Sequence, residues 1–339
     1  MSHTSAHKAA LSRYPTLDDM RAAAHRLAGK VLPTPVWRWQ TGVIADMLSP
    51  DTEVWLKLEL LQKTGTFKLR GALNCIEALS DEEREHGVVA ASAGNHALAV
   101  AYAARLAGTH AKVLMPHYAS PVRIEGCRAQ GAEVVLTTDL HEAFERAQQI
   151  ARTESRSIVH PFDGPLTAAG TGTIGVEFVE QVRGLDAVIV PVGGGGLCAG
   201  IAAAVKQLVP ECRVYGVEPF GADAMYRSFL SGRTEQIAAA PQTIADSLAA
   251  PCTLDYSLAV CQRFVDQIVR VSDEELRRAM FYLYRDMKLV AEPAAAASTA
   301  ALLGPLRETL DGQRVGLIAC GSNIDVARFA ELVNCGVEA

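Results

Sequence analysis

The sequence predicts an α/β protein of two lobes, each a mostly parallel twisted sheet flanked by helices. Three features lead there. Short β-branched runs alternate with helical stretches along most of the 339 residues, the joints from strand to helix are rich in glycine, and no low-complexity linker separates the two series. A hydrophobic share of 49% against 21% charged residues is that of a chain with a large buried core.

The first series opens with the apolar run Val88–Ser92, read as a strand, then an Ala-rich helix to Gly108 and the strand AKVLMP from Ala111. This is one βαβ step. A helix after Pro121, a strand at Glu133–Thr137, a helix at Leu140–Thr153 and a strand at Ser157–His160 extend it. The second series holds the strand Asp186–Val192, the helix Leu197–Leu208 and the strands Arg213–Glu218 and Ile268–Val271. Ser272, with Glu275 three residues on, makes a capping box for the helix that follows. The strand Arg314–Ala319 ends in CGSN, and a short helix finishes the chain. Residues 1–86 and 161–339 are expected to form a larger lobe and 87–160 a smaller one, sharing a long interface.

Composition narrows the partners. The formal net charge is −6, with Lys and Arg scattered, which gives no footprint for nucleic acid or an acidic membrane and points to small molecules. The opening MSHTSAHKAALSRYPT has no apolar leader, so a cytoplasmic protein is expected. Ala187–Val205 is uncharged and long, yet it contains Pro191 and four consecutive glycines, and reads as strand, loop and helix instead of a membrane span. The eight cysteines show no C-x-x-C pair and no metal-ligand spacing. They are expected to be reduced and mostly buried, with Cys320 set apart by its place after the last strand.

In open α/β sheets, ligands sit beyond the carboxyl ends of strands, where amides and helix N-termini converge. Three segments fit. SAGNHA at Ser92–Ala97 offers amides for a carboxylate. PVGGGGLCAG places Gly193, Gly194, Gly195 and Gly196 between a strand and a helix, a cup for a phosphate dianion. No Gly-Lys-Ser/Thr follows and the G-x-G-x-x-G spacing is absent, which disfavours a nucleotide. In KTGTFKLRG, Lys68 follows an aromatic residue and opens a helix; a lone lysine is ordinarily a solvated charge, but a desolvated one is a nucleophile.

Together with HPFDGP and CGSNID, these motifs, in this order and across nearly the whole chain, resemble the fold-type II (tryptophan synthase β-like) pyridoxal-phosphate (PLP) enzymes. The match is to their serine/threonine dehydratase (threonine ammonia-lyase) and serine racemase branch. The resemblance implies that Lys68 is the Schiff-base lysine, that Phe67 packs near the ring, that Asn95 bonds the ring oxygen and that Gly193–Gly196 hold the phosphate. It places Ser92, Ala93, Gly94, Asn95 and His96 around the substrate carboxylate, and Cys320 against the pyridine nitrogen. A thiol there does not hold that nitrogen protonated as a carboxylate would, which favours prompt loss of a β leaving group.

The implied activity is that of a carbon–oxygen lyase, removing water and then ammonium from a β-hydroxy-α-amino acid of the threonine or serine class to leave a 2-oxo acid. Serine racemase is the nearest alternative. The racemases carry Ser where this chain has Ala93, and a methyl group shuttles no proton. Dehydratases of 3-hydroxyaspartate, phenylserine or an ectoine-degradation intermediate are further alternatives, and a non-catalytic PLP-binding protein ranks below all of these. The branch also carries a cation site, here Glu218 and the carbonyl near Ala222; the third position is Ala224, with Asp223 beside it, which argues against tightly held Mg²⁺ and leaves a hard or monovalent cation. Arg70 is read either as a substrate clamp or as half of a structural ion pair, Asp246 as shaping specificity, Glu292 as approaching the cofactor edge, and His160 and Asp163 as turn residues. A homodimer or homotetramer and a degradative role complete the expectations.

Overall fold

Ten strands form two sheets in the computed structural model, which describes residues 14–237 and 240–337. The leader reading falls largely on residues 1–13, outside the described residues. In chain order the strands are β1 (Val36–Trp39), β2 (Glu53–Lys57), β3 (Val88–Ala91), β4 (Ala111–Pro116), β5 (Glu133–Thr137), β6 (Ser157–Ile158), β7 (Ala187–Pro191), β8 (Arg213–Pro219), β9 (Gln267–Val271) and β10 (Arg314–Ile318). The larger sheet runs β1-β2-β10-β7-β8-β9 and the smaller β5-β4-β3-β6. Apart from the antiparallel β1–β2 pair, all pairings are parallel.

The apolar runs explain the layers. A parallel strand covered by helices on both faces needs apolar residues throughout instead of in alternation. β7 (AVIVP) and β3 (VVAA) are buried at every position. β10 lies between β2 and β7, with Val315 opposite Val54 and Ala187, and Leu317 opposite Leu56 and Ile189. The fold class is therefore the expected one. β6 is shorter than expected: Val159 N still donates to Val89 O at 3.0 Å, and the chain then enters the turn at His160.

The helix Lys68–Glu77 lies between the sheets. Its Leu69, Leu73 and Ile76 join Val100, Ala104 and Val113 in the core beneath the smaller sheet, while its other side packs on the helix Pro165–Gln181. A separate core of large apolar side chains fills the larger sheet. The carboxyl ends of β3, β7 and β10 lead into Ser92–Gly94, the glycine run and Cys320, respectively. Among the described residues, no helix is long and apolar enough to cross a membrane, and Ala187–Val205 is indeed strand, turn and helix. The cysteines are unpaired; Cys335 departs from the expected burial, lying exposed on the last helix.

Candidate active site

Lys68 is placed by lacing between its own segment and the one after β10. Phe67 N donates to Cys320 O at 3.1 Å and Ser322 N to Gly65 O at 2.9 Å, while Asn323 Nδ2 donates to Thr64 O at 2.9 Å. The amine donates to the Pro161 carbonyl at 2.6 Å. The residue keeps some surface, but its amine is enclosed, and desolvation pulls it down to about 8 against the opposing pull of Cys320 and Glu292.

The glycine turn tolerates no side chain. A Cβ on Gly194 would lie 2.3 Å from the Phe162 ring and one on Gly196 2.1 Å from the Phe162 carbonyl oxygen, and Gly195 has φ +105°. Two of the turn's carbonyls are tied back: Thr253 Oγ1 donates to Gly194 O at 3.0 Å and Thr171 Oγ1 to Gly196 O at 2.8 Å. Bare amides at the start of the helix Gly196–Leu208 then dominate the local field, which suits an anion. Gly193–Gly196 share a cavity with Phe67, Lys68, Asn95, Glu292 and Cys320. An amine, a bare-amide anion cradle and a thiol in one cavity fit the aldehyde, phosphate and ring nitrogen of PLP.

Asn95 links the motifs. Its Nδ2 donates to Glu292 Oε1 at 2.9 Å and Oε2 at 3.1 Å, and its Oδ1 accepts from Asn323 Nδ2 at 2.8 Å. Glu292 is N-terminal to the helix Pro293–Leu303 but makes no side-chain cap; it is turned into the cavity, where burial raises its carboxyl to about 7 against the Asn95 hydrogen bond. The Cys320 thiol is raised well above its ordinary range by burial, then by Glu292, so it stays protonated.

Ser92, Ala93, Gly94, Asn95 and His96 all line the cleft beside Lys68. The amides of the first turn of the helix Asn95–Leu106 have no intrahelical acceptors and face an incoming carboxylate's charge favourably. The His96 ring is not free for chemistry: Nε2 pairs with Val159 O at 2.8 Å, and burial, reinforced by Lys68, lowers it to about 3. Ser92 Oγ accepts from Gly94 N at 3.1 Å.

Several residues of the cleft escaped the sequence reading. Arg123 Nη1 donates to Asp246 Oδ2 at 3.0 Å and Nη2 to Asn323 O at 2.8 Å, bridging the two lobes beside Gly94. Leu140, Phe144 and Phe162 also line it. Their sequence signal is weak, since each is one apolar or basic residue in an ordinary helix or turn. His160 and Asp163 are turn residues as expected: His160 Nδ1 accepts from Asp163 N at 2.9 Å, and Asp163 accepts from Ser257 N at 2.9 Å.

One open choice is decided and one expectation is corrected. Arg70 is no substrate clamp; it is fully buried and donates to Glu59 (2.9 and 2.8 Å) and Glu177 (2.6 and 2.8 Å), while Lys57 meets Glu177 at 2.7 Å. Two cations and two carboxylates balance, which is how a buried charge set survives desolvation. The cation site at Glu218 and Ala222 does not fit a metal. Glu218 Oε1 and Oε2 accept from Met225 N (3.1 Å) and Tyr226 N (2.6 Å), and Asp223 is spent on Arg227 (2.7 Å) and Arg270 (2.9 Å). Position 224 is a buried alanine. The helix start and two arginines use the oxygens a hard cation would need.

Comparison with known proteins identifies the family and the fold. The family model described as "Pyridoxal-phosphate dependent enzyme" matches residues 27–321. A phenylserine dehydratase of Ralstonia pickettii is 53% identical over 287 residues, 85% of this chain and 88% of that protein. An L-threonine ammonia-lyase of Thermotoga maritima is 40% identical over 325 residues, 95% of this chain and 79% of that one. The solved serine racemase of Dictyostelium discoideum superposes with a TM-score of 0.85 at 35% identity, covering 92% of this chain and 99% of that one.

Proposed function

The chain belongs to the family of pyridoxal-phosphate-dependent enzymes, and from that premise we propose that it is a β-hydroxy-α-amino acid dehydratase and ammonia-lyase with Lys68 as its catalytic residue. The observation that carries the assignment of Lys68 is its enclosed amine, lowered to about 8, in one cavity with the bare-amide glycine turn.

Bound there, the cofactor supplies an aldehyde carbon for amines and an electron-withdrawing ring. Each side chain then has a task. Lys68, whose amine is lowered to about 8 and therefore has an accessible neutral fraction at physiological pH, would join the cofactor aldehyde and, freed when the substrate amine takes its place, would be the base that takes the Cα proton. The Gly193–Gly196 amides would hold the phosphate, and Asn95 Nδ2, which also donates to Glu292, would be the donor to the ring oxygen. Phe67 packs beside the ring; Cys320, a neutral thiol, leaves the ring nitrogen without a carboxylate partner. The loop from Ser92 to His96 holds the substrate carboxylate through its free amides, those of Ser92 and Gly94 being engaged by Leu114 O and Ser92 Oγ. Loss of the Cα proton and the β-hydroxyl removes one water; water then hydrolyses the released enamine, giving a 2-oxo acid and ammonium.

Ala93 supports elimination over racemisation: it lines the cleft with a methyl group at the position where the racemases this chain resembles carry Ser, and a methyl group donates no proton to Cα. The lobe boundaries 1–86 with 161–339 and 87–160, a cytoplasmic location, a degradative role and a homodimeric or homotetrameric state belong to the same reading. Sheet membership supports the first of these.

The test is a panel of L- and D-β-hydroxyamino acids scored for 2-oxo acid and ammonium. Lys68→Ala should abolish turnover and the visible absorbance of the lysine–cofactor bond; surviving turnover refutes the assignment. In the same panel, Ala93→Ser should raise enantiomer exchange, and an unchanged rate counts against the account of that face.

A further inference from the structure

We infer, on the premise of the dehydratase reading, that the substrate's β-carbon carries an aryl or comparably large apolar group, received by Leu140, Phe144 and the segment Ala249–Pro251.

Leu140 and Phe144 are four residues apart on one helix, hence on one face. Both keep partial exposure, and both line the cleft that holds Lys68. The Phe144 ring lies 6.2 Å from that of His160, which meets Phe162 edge-on at 4.7 Å, and Phe162 covers Gly194. A row of rings thus runs from the smaller lobe to the glycine turn, past the Pro161 carbonyl that holds the Lys68 amine. From the larger lobe, Ala249, Ala250 and Pro251 add wall without a side-chain donor or acceptor.

The same lining carries Arg123 and Asp246, which pair with each other. Arg123 stands against Gly94, with Nη1 committed to Asp246 and Nη2 to the Asn323 carbonyl. A β-carboxylate, as in 3-hydroxyaspartate, would compete with Asp246 for that guanidinium. The methyl group of threonine or the hydrogen of serine leaves the apolar wall wet, whereas a ring dries it. The whole cleft, including the part beside Lys68 and the Ser92–His96 loop, holds about 180 Å³.

The experiment measures kcat/KM of the holoenzyme for L-threo-phenylserine, L-threonine, L-serine and 3-hydroxyaspartate. Phenylserine is expected to lead threonine by about tenfold or more, the scale that apolar pockets achieve, with 3-hydroxyaspartate last. Phe144→Ala is expected to lower the phenylserine-to-threonine ratio by about tenfold. Ala250→Leu, which narrows the same compartment, should lower it as well. A binding readout runs beside these: L-phenylalanine, which has no β-hydroxyl to lose, should raise Tm more than L-2-aminobutyrate does. Should 2-oxo acid form with threonine equal to or ahead of phenylserine, or should both variants leave the ratio unmoved, the compartment assignment falls and the dehydratase reading stands. Should no hydroxyamino acid react, the dehydratase reading falls, and the L-phenylalanine comparison still decides the compartment.

Discussion

Glu292 couples the site to pH. Its carboxyl is raised from 4.5 to about 7 by burial, so the folded state prefers the protonated form. That preference is worth its full amount below the unfolded pKa and is lost as pH rises through about 7. Glu292→Gln keeps an acceptor for Asn95 and removes the charge. The variant should gain on the order of 1–3 kcal/mol over the parent at pH 8 and almost nothing at pH 4.5. Urea melts at the two pH values check this; equal differences at both would mean that Glu292 is charged throughout. At this scale the sequence offered contiguous motifs, and the structure gathers Lys68, Asn95, Cys320 and the glycines of those motifs around one cavity. The sequence was unreadable where one side chain arrives from afar: Arg123 reaches Asp246 and Asn323 across 123 and 200 positions, and Phe144 shows its role only beside His160.

Among elements, β3 to β10 were legible because covered parallel strands are largely apolar; β1 (VWRW) and β2 (EVWLK), short and carrying charged residues, were not read. Nor was the helix Pro165–Gln181, since its sequence PLTAAGTGTIGVEFVEQ is crowded with glycine and threonine, poor helix formers. Packing overrides propensity there: a Cβ on Gly170 would lie 2.7 Å from the Arg70 carbonyl oxygen, so glycine admits the helix that carries Lys68. The start of the helix Ala224–Ser231 is a second case in which local contacts decide. With Glu218 accepting both amides and Asp223 held by two arginines, the element is complete without a metal. Chelation by EDTA should therefore leave turnover and Tm unchanged, and added Mg²⁺ should shift Tm by less than about 1 °C, since a ligand stabilises only through differential binding to the folded state. Ala224→Asp supplies the missing oxygen; a Mg²⁺-dependent rise in Tm is expected in that variant alone. Loss of activity with EDTA in the parent would overturn this view of the loop.

Across the whole molecule, the two lobes share structure through the helix Lys68–Glu77, and this has a consequence for unfolding. Chains with more than one lobe often unfold in steps, each core releasing separately. Here the interlobe helix contributes Leu69 and Leu73, both wholly buried, to the smaller lobe's core. Its Arg70 meanwhile ties Glu59 and Glu177 within the larger lobe. Melting the smaller lobe's core therefore strips one face of the helix whose other face anchors the larger lobe. The three tryptophans, Trp37, Trp39 and Trp55, all lie on β1 and β2 of the larger sheet, so their fluorescence reports that lobe alone. Leu73→Ala removes apolar volume from the other core and should cost about 2–5 kcal/mol. If the lobes unfold as one, the tryptophan midpoint moves with the far-UV circular dichroism midpoint and the curves stay superimposed. A tryptophan midpoint that stays in place while the dichroism splits into two steps would show that the shared helix does not couple the cores.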